Sequence, residues 1–334
     1  MQNQQGHTSF QTTQPLVSFI ITYYDLPVEL LCECIDSILT LSLRPYEREI
    51  IVVDDGSKES PIKELMHYGD DIVYVRQKHG GVSIARNTMM RMAKGKYIQF
   101  VDGDDAIQQA SYEHCLDIIR YSKDEVDMVL FDFTNSKNNE EATNYTPIKT
   151  SGSEYMLHHN IHGAAWCYMF RQVICGQLEF TPHVAYGEDE EFTPKLLLRA
   201  DCIYVTPAKA YYYRKHESSA IQKSFDTNKE QRLNDNMGVI IRLHKLCDKL
   251  PQKDRLALQR RIAQLTMDYI YNTIILKRTQ QALDLCLTEL KAEGLFPLPD
   301  RAYSTKYIWF RRMTNSSIGR SFLLHTLPLL KNER

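Results

Sequence analysis

Short apolar, β-branched runs alternate along the first part of this chain with stretches whose apolar residues recur every three to four positions. That alternation constrains the fold more than any other feature. Val17 to Thr22, Glu49 to Val53, Asp71 to Val75, Tyr97 to Val101 and Val126 to Phe131 each have the length and composition of a buried strand. Between the first two, Leu30, Leu31, Cys34, Ile35, Ile38 and Leu39 lay an apolar stripe along one helical face. Ser83 to Lys94 predicts another helix, with Ala85, Met89, Met92 and Ala93 turned inward. Strands separated by helices imply right-handed crossovers and a mostly parallel sheet with helices on both faces. Ligands of such sheets bind beyond the carboxyl ends of the strands. Two strands end there in acidic turns, Asp54-Asp55-Gly56-Ser57 and Asp102-Gly103-Asp104-Asp105.

Residues 15–225 are therefore expected to form one α/β domain, interrupted by a polar loop from Thr134 to Ser153. Residues 226–334, rich in Leu, Ile, Gln, Arg and Lys at helical spacing, predict a helical C-terminal region. The Gln- and Thr-rich residues 1–14 lack the basic and apolar regions of a signal peptide and read as a disordered lead-in. Forty Lys and Arg against 42 Asp and Glu leave a formal charge of -2, which argues against a nucleic-acid partner. Eight scattered cysteines lack zinc-site spacing and disulfide-scaffold density, so a cytoplasmic location is expected.

Candidate chemistry concentrates at acidic positions. In extended chain Asp102 and Asp104 point to one side, where their repulsion calls for a cation. Hard oxygen donors suit Mg²⁺ or Mn²⁺ bridging to phosphate, although a solvated acidic turn has the same sequence. Asp55 can accept the N–H of a uracil ring, or the segment is simply a tight turn in which Gly56 lets the backbone reverse. Glu188-Asp189-Glu190-Glu191 opens a helix whose dipole favours each acid by roughly 0.3–1 kcal/mol. Four acids exceed what capping needs, and their repulsion would raise one pKa toward that of a general base. In Tyr211-Tyr-Tyr-Arg214-Lys-His216 the aromatics could close over a diphosphate, with Arg214 as counter-charge and His216 as an added metal ligand. A strand with one wet face explains the tyrosines equally well. Trp166 is either an acceptor-site wall or a half-buried core residue.

In this order, the motifs resemble the inverting family 2 glycosyltransferases of bacterial polysaccharide synthesis, which have the GT-A fold. The resemblance runs through Val17 to Asp25, Cys34 to Leu39, Ile51 to Ser57, Gly81-Val-Ser-Ile-Ala-Arg-Asn87, Gly95 to Asp105, Glu188 to Glu190 and Tyr213-Arg214. It implies a nucleotide-sugar donor, most readily a UDP-sugar, and a glycan or lipid-linked saccharide acceptor. It further implies that Thr22, Tyr24 and Asp55 line the nucleoside pocket, that Asp102 and Asp104 face ribose and metal, and that Asp189 is the catalytic base. Thr22 and Asp25 depart from the Pro and Asn of many members. Two other readings fit an apolar strand ending in Asp-x-Asp: metal-dependent phosphoryl or nucleotidyl transfer, and a non-catalytic nucleotide-sugar-binding subunit. The basic and aromatic stretch Tyr303 to Leu330 suggests peripheral contact with the inner face of the cytoplasmic membrane, against the alternative of a packed C-terminal helix.

Overall fold

The computed structural model describes residues 14–137, 145–215 and 228–332. Its first half alternates as the apolar periodicity predicts: β1 (Val17–Tyr23), α1 (Val28–Leu39), β2 (Arg48–Asp54), β3 (Val73–Arg76), α2 (Val82–Met92) and β4 (Tyr97–Asp102). These four strands pair in parallel in the order β3-β2-β1-β4. Residues on both faces of β1, β2 and β4 are buried, as a sheet covered on both sides requires. Because β2 and β4 flank β1 on opposite sides, the strand order reverses at β1, and a crevice opens at the carboxyl ends of β1 and β4. There Thr22 lies in register with both Val53 and Asp102.

Further along come β5 (Ala106–Ile107), α3 (Gln109–Tyr121), β6 (Met128–Thr134), β7 (Ile148–Thr150), α4 (Gly152–His158), β8 (Tyr168–Arg171), α5 (Glu188–Leu197) and β9 (Ile203–Tyr212). The sheet departs from simple parallel order here. β8 enters antiparallel between β4 and β6, β9 runs parallel to β6, and β5 and β7 pair antiparallel with β9. Four-residue β8 carries no alternation long enough to announce itself, and β7 falls in the stretch read as loop. One face of α2 also differs from expectation. Met92 is exposed, whereas Arg86 and Asn87 are buried beside Ala85 and Met89. Those two polar side chains are held by partners across the fold, so apolar periodicity alone could not place them.

The C-terminal region is helical: α6 (Lys229–Cys247), α7 (Gln252–Lys277), α8 (Gln280–Ala292), α9 (Thr305–Thr314) and α10 (Ser317–Asn332). Its core, built from residues such as Leu243, Ile270, Leu290, Tyr307 and Leu323, is separate from that around the sheet. Long α7 joins the two regions. Ala257 belongs to the sheet core, while Arg260 donates to the Leu157 carbonyl at 2.6 Å. Part of the stretch read as a membrane-facing tail is thus internal packing, since Tyr307, Phe310 and Leu323 are buried. Among the described residues no helix is long and apolar enough to cross a bilayer.

Candidate active site

A cleft of about 1130 Å³ lies across the carboxyl ends of β1 and β4. Thr22, Tyr24, Asp55, Asp102, Asp104 and Asp189 all line it, so these six candidates share one cavity. His216 lies outside the described residues.

The two adjacent aspartates at the end of β2 divide their work. Asp54 is fully buried and closes the turn, accepting from the Ser57 amide at 2.8 Å and the Tyr74 hydroxyl at 2.9 Å. Asp55 reaches the other way and fastens the segment after β3. Its carboxylate accepts from Gln77 at 2.7 Å and from the Gly80 and Gly81 amides at 3.0 and 2.8 Å, while His79 Nδ1 stands 2.9 Å away. The segment held in this way presents His79 to Tyr24, with ring centroids 4.2 Å apart and nearly parallel. Gly56 permits this approach: its φ is +80°, and a Cβ there would stand 2.7 Å from the His79 amide.

At the end of β4, Gly103 must lack a side chain for a similar reason, since a Cβ would come within 2.8 Å of the Thr22 carbonyl. Asp105, for which the sequence offered no role, anchors the turn to β9. It accepts from the Tyr211 hydroxyl and the Arg214 amide, each at 2.8 Å, and the same Tyr211 oxygen receives the Asp102 amide at 3.0 Å. Burial, with Asp102 nearby, pushes the Asp105 carboxyl up to about 8. Tyr211 is therefore an internal strut rather than a cover. Arg214 is also committed within the protein, to the Asp104 carbonyl and to Glu33, each at 2.8 Å. Trp166 is more buried than a half-exposed wall would be, stacking on Tyr211 at 4.3 Å, yet it and Tyr213 border the cleft.

Arg86, which carried no role in the sequence reading, joins the parts. Only 3% exposed, its guanidinium lies between Phe100 and Phe180, 5.6 and 5.3 Å from their ring centres. Nη2 donates to Asp102 Oδ1 at 3.1 Å, and Nη1 donates to Asp189 Oδ1 at 2.5 Å and Glu188 Oε1 at 3.2 Å. One cation thus ties the end of β4 to the first turn of α5. Asp189 Oδ2 also accepts the Ala165 amide at 3.0 Å. Burial raises the Asp189 pKa despite the opposing pull of Arg86. Burial, followed by the Asp189 charge, pushes Glu188 up to about 8. The expected rise in an acidic helix start is present, with dehydration as its leading cause.

The other acids of that turn point to the helical region. Glu190 pairs with Arg261 of α7, and Glu191 accepts from Arg242 of α6 at 2.7 and 2.9 Å. Asp235 of α6 receives the Ala185 and Tyr186 amides at 2.9 and 3.1 Å, bracing the loop before α5.

Residues 18–177 match the family described as Glycosyl transferase family 2, a segment that contains β1 to β4 and both acidic turns. Over that segment the chain is similar to glycosyl transferase family 2. The minor teichoic acid biosynthesis protein GgaB of Bacillus subtilis is 28% identical over 215 residues, covering 61% of this chain. The match spans only 24% of GgaB's own length. In fold, the chain is similar to S. aureus TarS 1-349 in complex with UDP-GlcNAc, with a TM-score of 0.69 and 18% identity over 95% of this chain and 92% of that one. It is also similar to the mannosyltransferase PcManGT from Pyrobaculum calidifontis in complex with GDP-Man and Mn2+, with a TM-score of 0.55 and 16% identity over 96% and 88% of the two chains. At these identities the likeness establishes the fold, a GT-A domain with a helical C-terminal region.

Proposed function

We propose that this chain is a metal-dependent inverting glycosyltransferase that moves a sugar from a nucleotide-sugar, most readily a UDP-sugar, to a glycan or lipid-linked saccharide in surface polysaccharide synthesis. The observation carrying the proposal is the Arg86 bridge, which holds Asp102 at the strand-order reversal beside Asp189 within one cleft. Tyr24 and Thr22 would line the nucleoside site, while Asp55 contributes by fastening the segment that carries His79. Asp189 would take the proton of the acceptor hydroxyl as its oxygen forms a bond to the anomeric carbon. The bond from that carbon to the diphosphate breaks on the opposite face, and its electron pair leaves with the nucleoside diphosphate. Configuration inverts.

The acidic turn fits a hard divalent cation. Asp102 uses Oδ1 for Arg86 and Thr22, which leaves Oδ2 for a ligand role, and Asp104 stands two residues on. Among the described residues no group of three His, Cys, Asp or Glu is placed to hold a metal, so diphosphate oxygens and water would complete the shell, a mode typical of Mg²⁺. When bound, the cation would neutralise the departing diphosphate.

Incubation with a panel of nucleotide sugars, with and without Mn²⁺ or EDTA, tests the reading through release of nucleoside diphosphate and the anomeric configuration of the product. Asp189→Asn should lower kcat by about 10²–10⁴ and retain donor binding. Unchanged turnover removes Asp189 from the mechanism, and release of inorganic phosphate instead would favour phosphoryl chemistry.

Peripheral membrane contact fits one face of α10. Ile318, Phe322 and Leu329 are 84, 50 and 66% exposed and fall within a narrow arc at helical spacing, with exposed Trp309 and Arg312 on neighbouring α9.

A further inference from the structure

The cleft continues past Asp189 to the helical region, where its lining changes character. From α7 it receives Leu265, Asp268 and Asn272, positions spaced by three, four and seven on one helical face, with Tyr271 beside them. From α6 it receives Asn236 one turn before Val239 and Ile240. Asp268, Asn272 and Asn236 are partly accessible, and none of the three side chains forms a hydrogen bond among the described residues. Burial nevertheless raises the Asp268 pKa, with the charges of Lys306 and Arg261 opposing it. These polar side chains therefore share with Leu265, Val239, Ile240, Arg232 and Lys306 a cavity into which they bring unused hydrogen-bonding capacity, an arrangement that packing alone does not require.

We propose that this end of the cleft is an acceptor subsite for an uncharged saccharide unit, with Asp268, Asn272 and Asn236 binding its hydroxyls and Tyr271 and Leu265 its C–H faces. The inference rests on the transferase reading and extends it to the acceptor. Its chemistry follows from the donor set. A carboxylate only accepts, a carboxamide both donates and accepts, and a sugar ring offers hydroxyls of both kinds around an apolar face. Lys306 and Arg232 line the same end and offset the Asp268 carboxylate, so hydroxyls are what Asp268, Asn272 and Asn236 fit, and the diphosphate belongs at the Asp104 end. α6 and α7, outside the segment that defines the family, would then determine which acceptor this chain uses.

The test measures saccharide binding apart from donor chemistry. Saturation-transfer difference NMR of full-length protein with a panel of p-nitrophenyl glycosides and disaccharides, with and without UDP, should give signal for at least one compound. The Asp268→Ala/Asn272→Ala double variant should lose that signal while its UDP affinity, read by calorimetry, stays within about twofold of wild type. For any saccharide that is also glycosylated, its KM should rise at least about tenfold with kcat little changed, the loss expected for one charge-assisted and one neutral hydrogen bond. Asn272→Ala alone serves if the double variant does not fold. Absence of signal from every saccharide, or equal signal from wild type and a folded variant, overturns the proposal. Wild-type protein that binds a saccharide but neither binds UDP nor releases it from UDP-sugars would instead sink the donor reading.

Discussion

Replacing Arg86 by Met removes the cation shared by Asp102, Glu188 and Asp189 and leaves a side chain of similar length between Phe100 and Phe180. The guanidinium is 3% exposed, and its carboxylate contacts span 2.5 to 3.2 Å. Breaking a buried pair by deleting one partner costs about 3–5 kcal/mol, because the remaining charge keeps its desolvation penalty. Here that penalty falls first on Asp189, the shortest contact. Urea unfolding at pH 7 should show this loss as a lower midpoint at unchanged slope. A second variant separates charge from packing. In an Asp189→Asn background the carboxylate nearest Arg86 is already neutral and only Asp102 and Glu188 remain, so Arg86→Met should cost less than in wild type, with a coupling of about 0.5–3 kcal/mol. Asn can still accept the Ala165 amide through its side-chain oxygen. If Arg86→Met costs under about 1 kcal/mol, or costs the same in both backgrounds, Arg86 is not the counter-ion that holds the two motifs together.

Other sites give independent checks. Gly152 opens α4 where an added Cβ would overlap the Leu197 carbonyl, so Gly152→Ala should lose about 1–3 kcal/mol in the same urea assay, and a neutral result would mean the two helices are not in close contact. Burial raises the Glu191 pKa, but hydrogen bonds from Arg242 and Lys195 more than reverse this, so the folded value lies below the unfolded one of about 4.3. Its contribution is therefore present above that pH and lost as pH falls through the folded value. Glu191→Gln should consequently flatten the acid limb of stability against pH, and an unchanged limb would refute the assignment. Ile318→Ser/Phe322→Ser should reduce sedimentation with anionic liposomes without changing the urea midpoint; equal sedimentation would remove α10 from membrane binding.

What could be read from the sequence depended on whether a residue's partners are local. β1, β2, β4 and α1 bury nearly whole faces, so apolar periodicity located them. The acidic turns were visible because they follow such strands at the end where parallel sheets bind ligands. Arg86 lay in plain view within Gly81 to Asn87, but its partners are 16, 102 and 103 residues away. A charged side chain on the inner face of a helix was the available signal. Four-residue β8 and the cleft face of α7 depend on tertiary pairing in the same way.

That dependence also explains the run of four acids. Successive helical residues turn by about 100°, so four in one turn point in four directions and cannot all serve one ligand. In α5 they do not. Glu188 and Asp189 meet Arg86 on the side of the sheet, Glu190 meets Arg261, and Glu191 meets Arg242 and Lys195. The run thus does two jobs that the sequence merged into one. Half of it belongs to the candidate chemistry, and half fastens the start of α5 to α6 and α7. The same two helices supply Asn236, Asp268 and Asn272 to the far end of the cleft. A change in their packing would therefore be felt at Asp189 through Glu190 and Glu191. Arg261→Met, which leaves Glu190 without its buried partner, should lower kcat more than it raises the donor KM. A change confined to donor KM would show that these helices act on binding rather than on the position of the base.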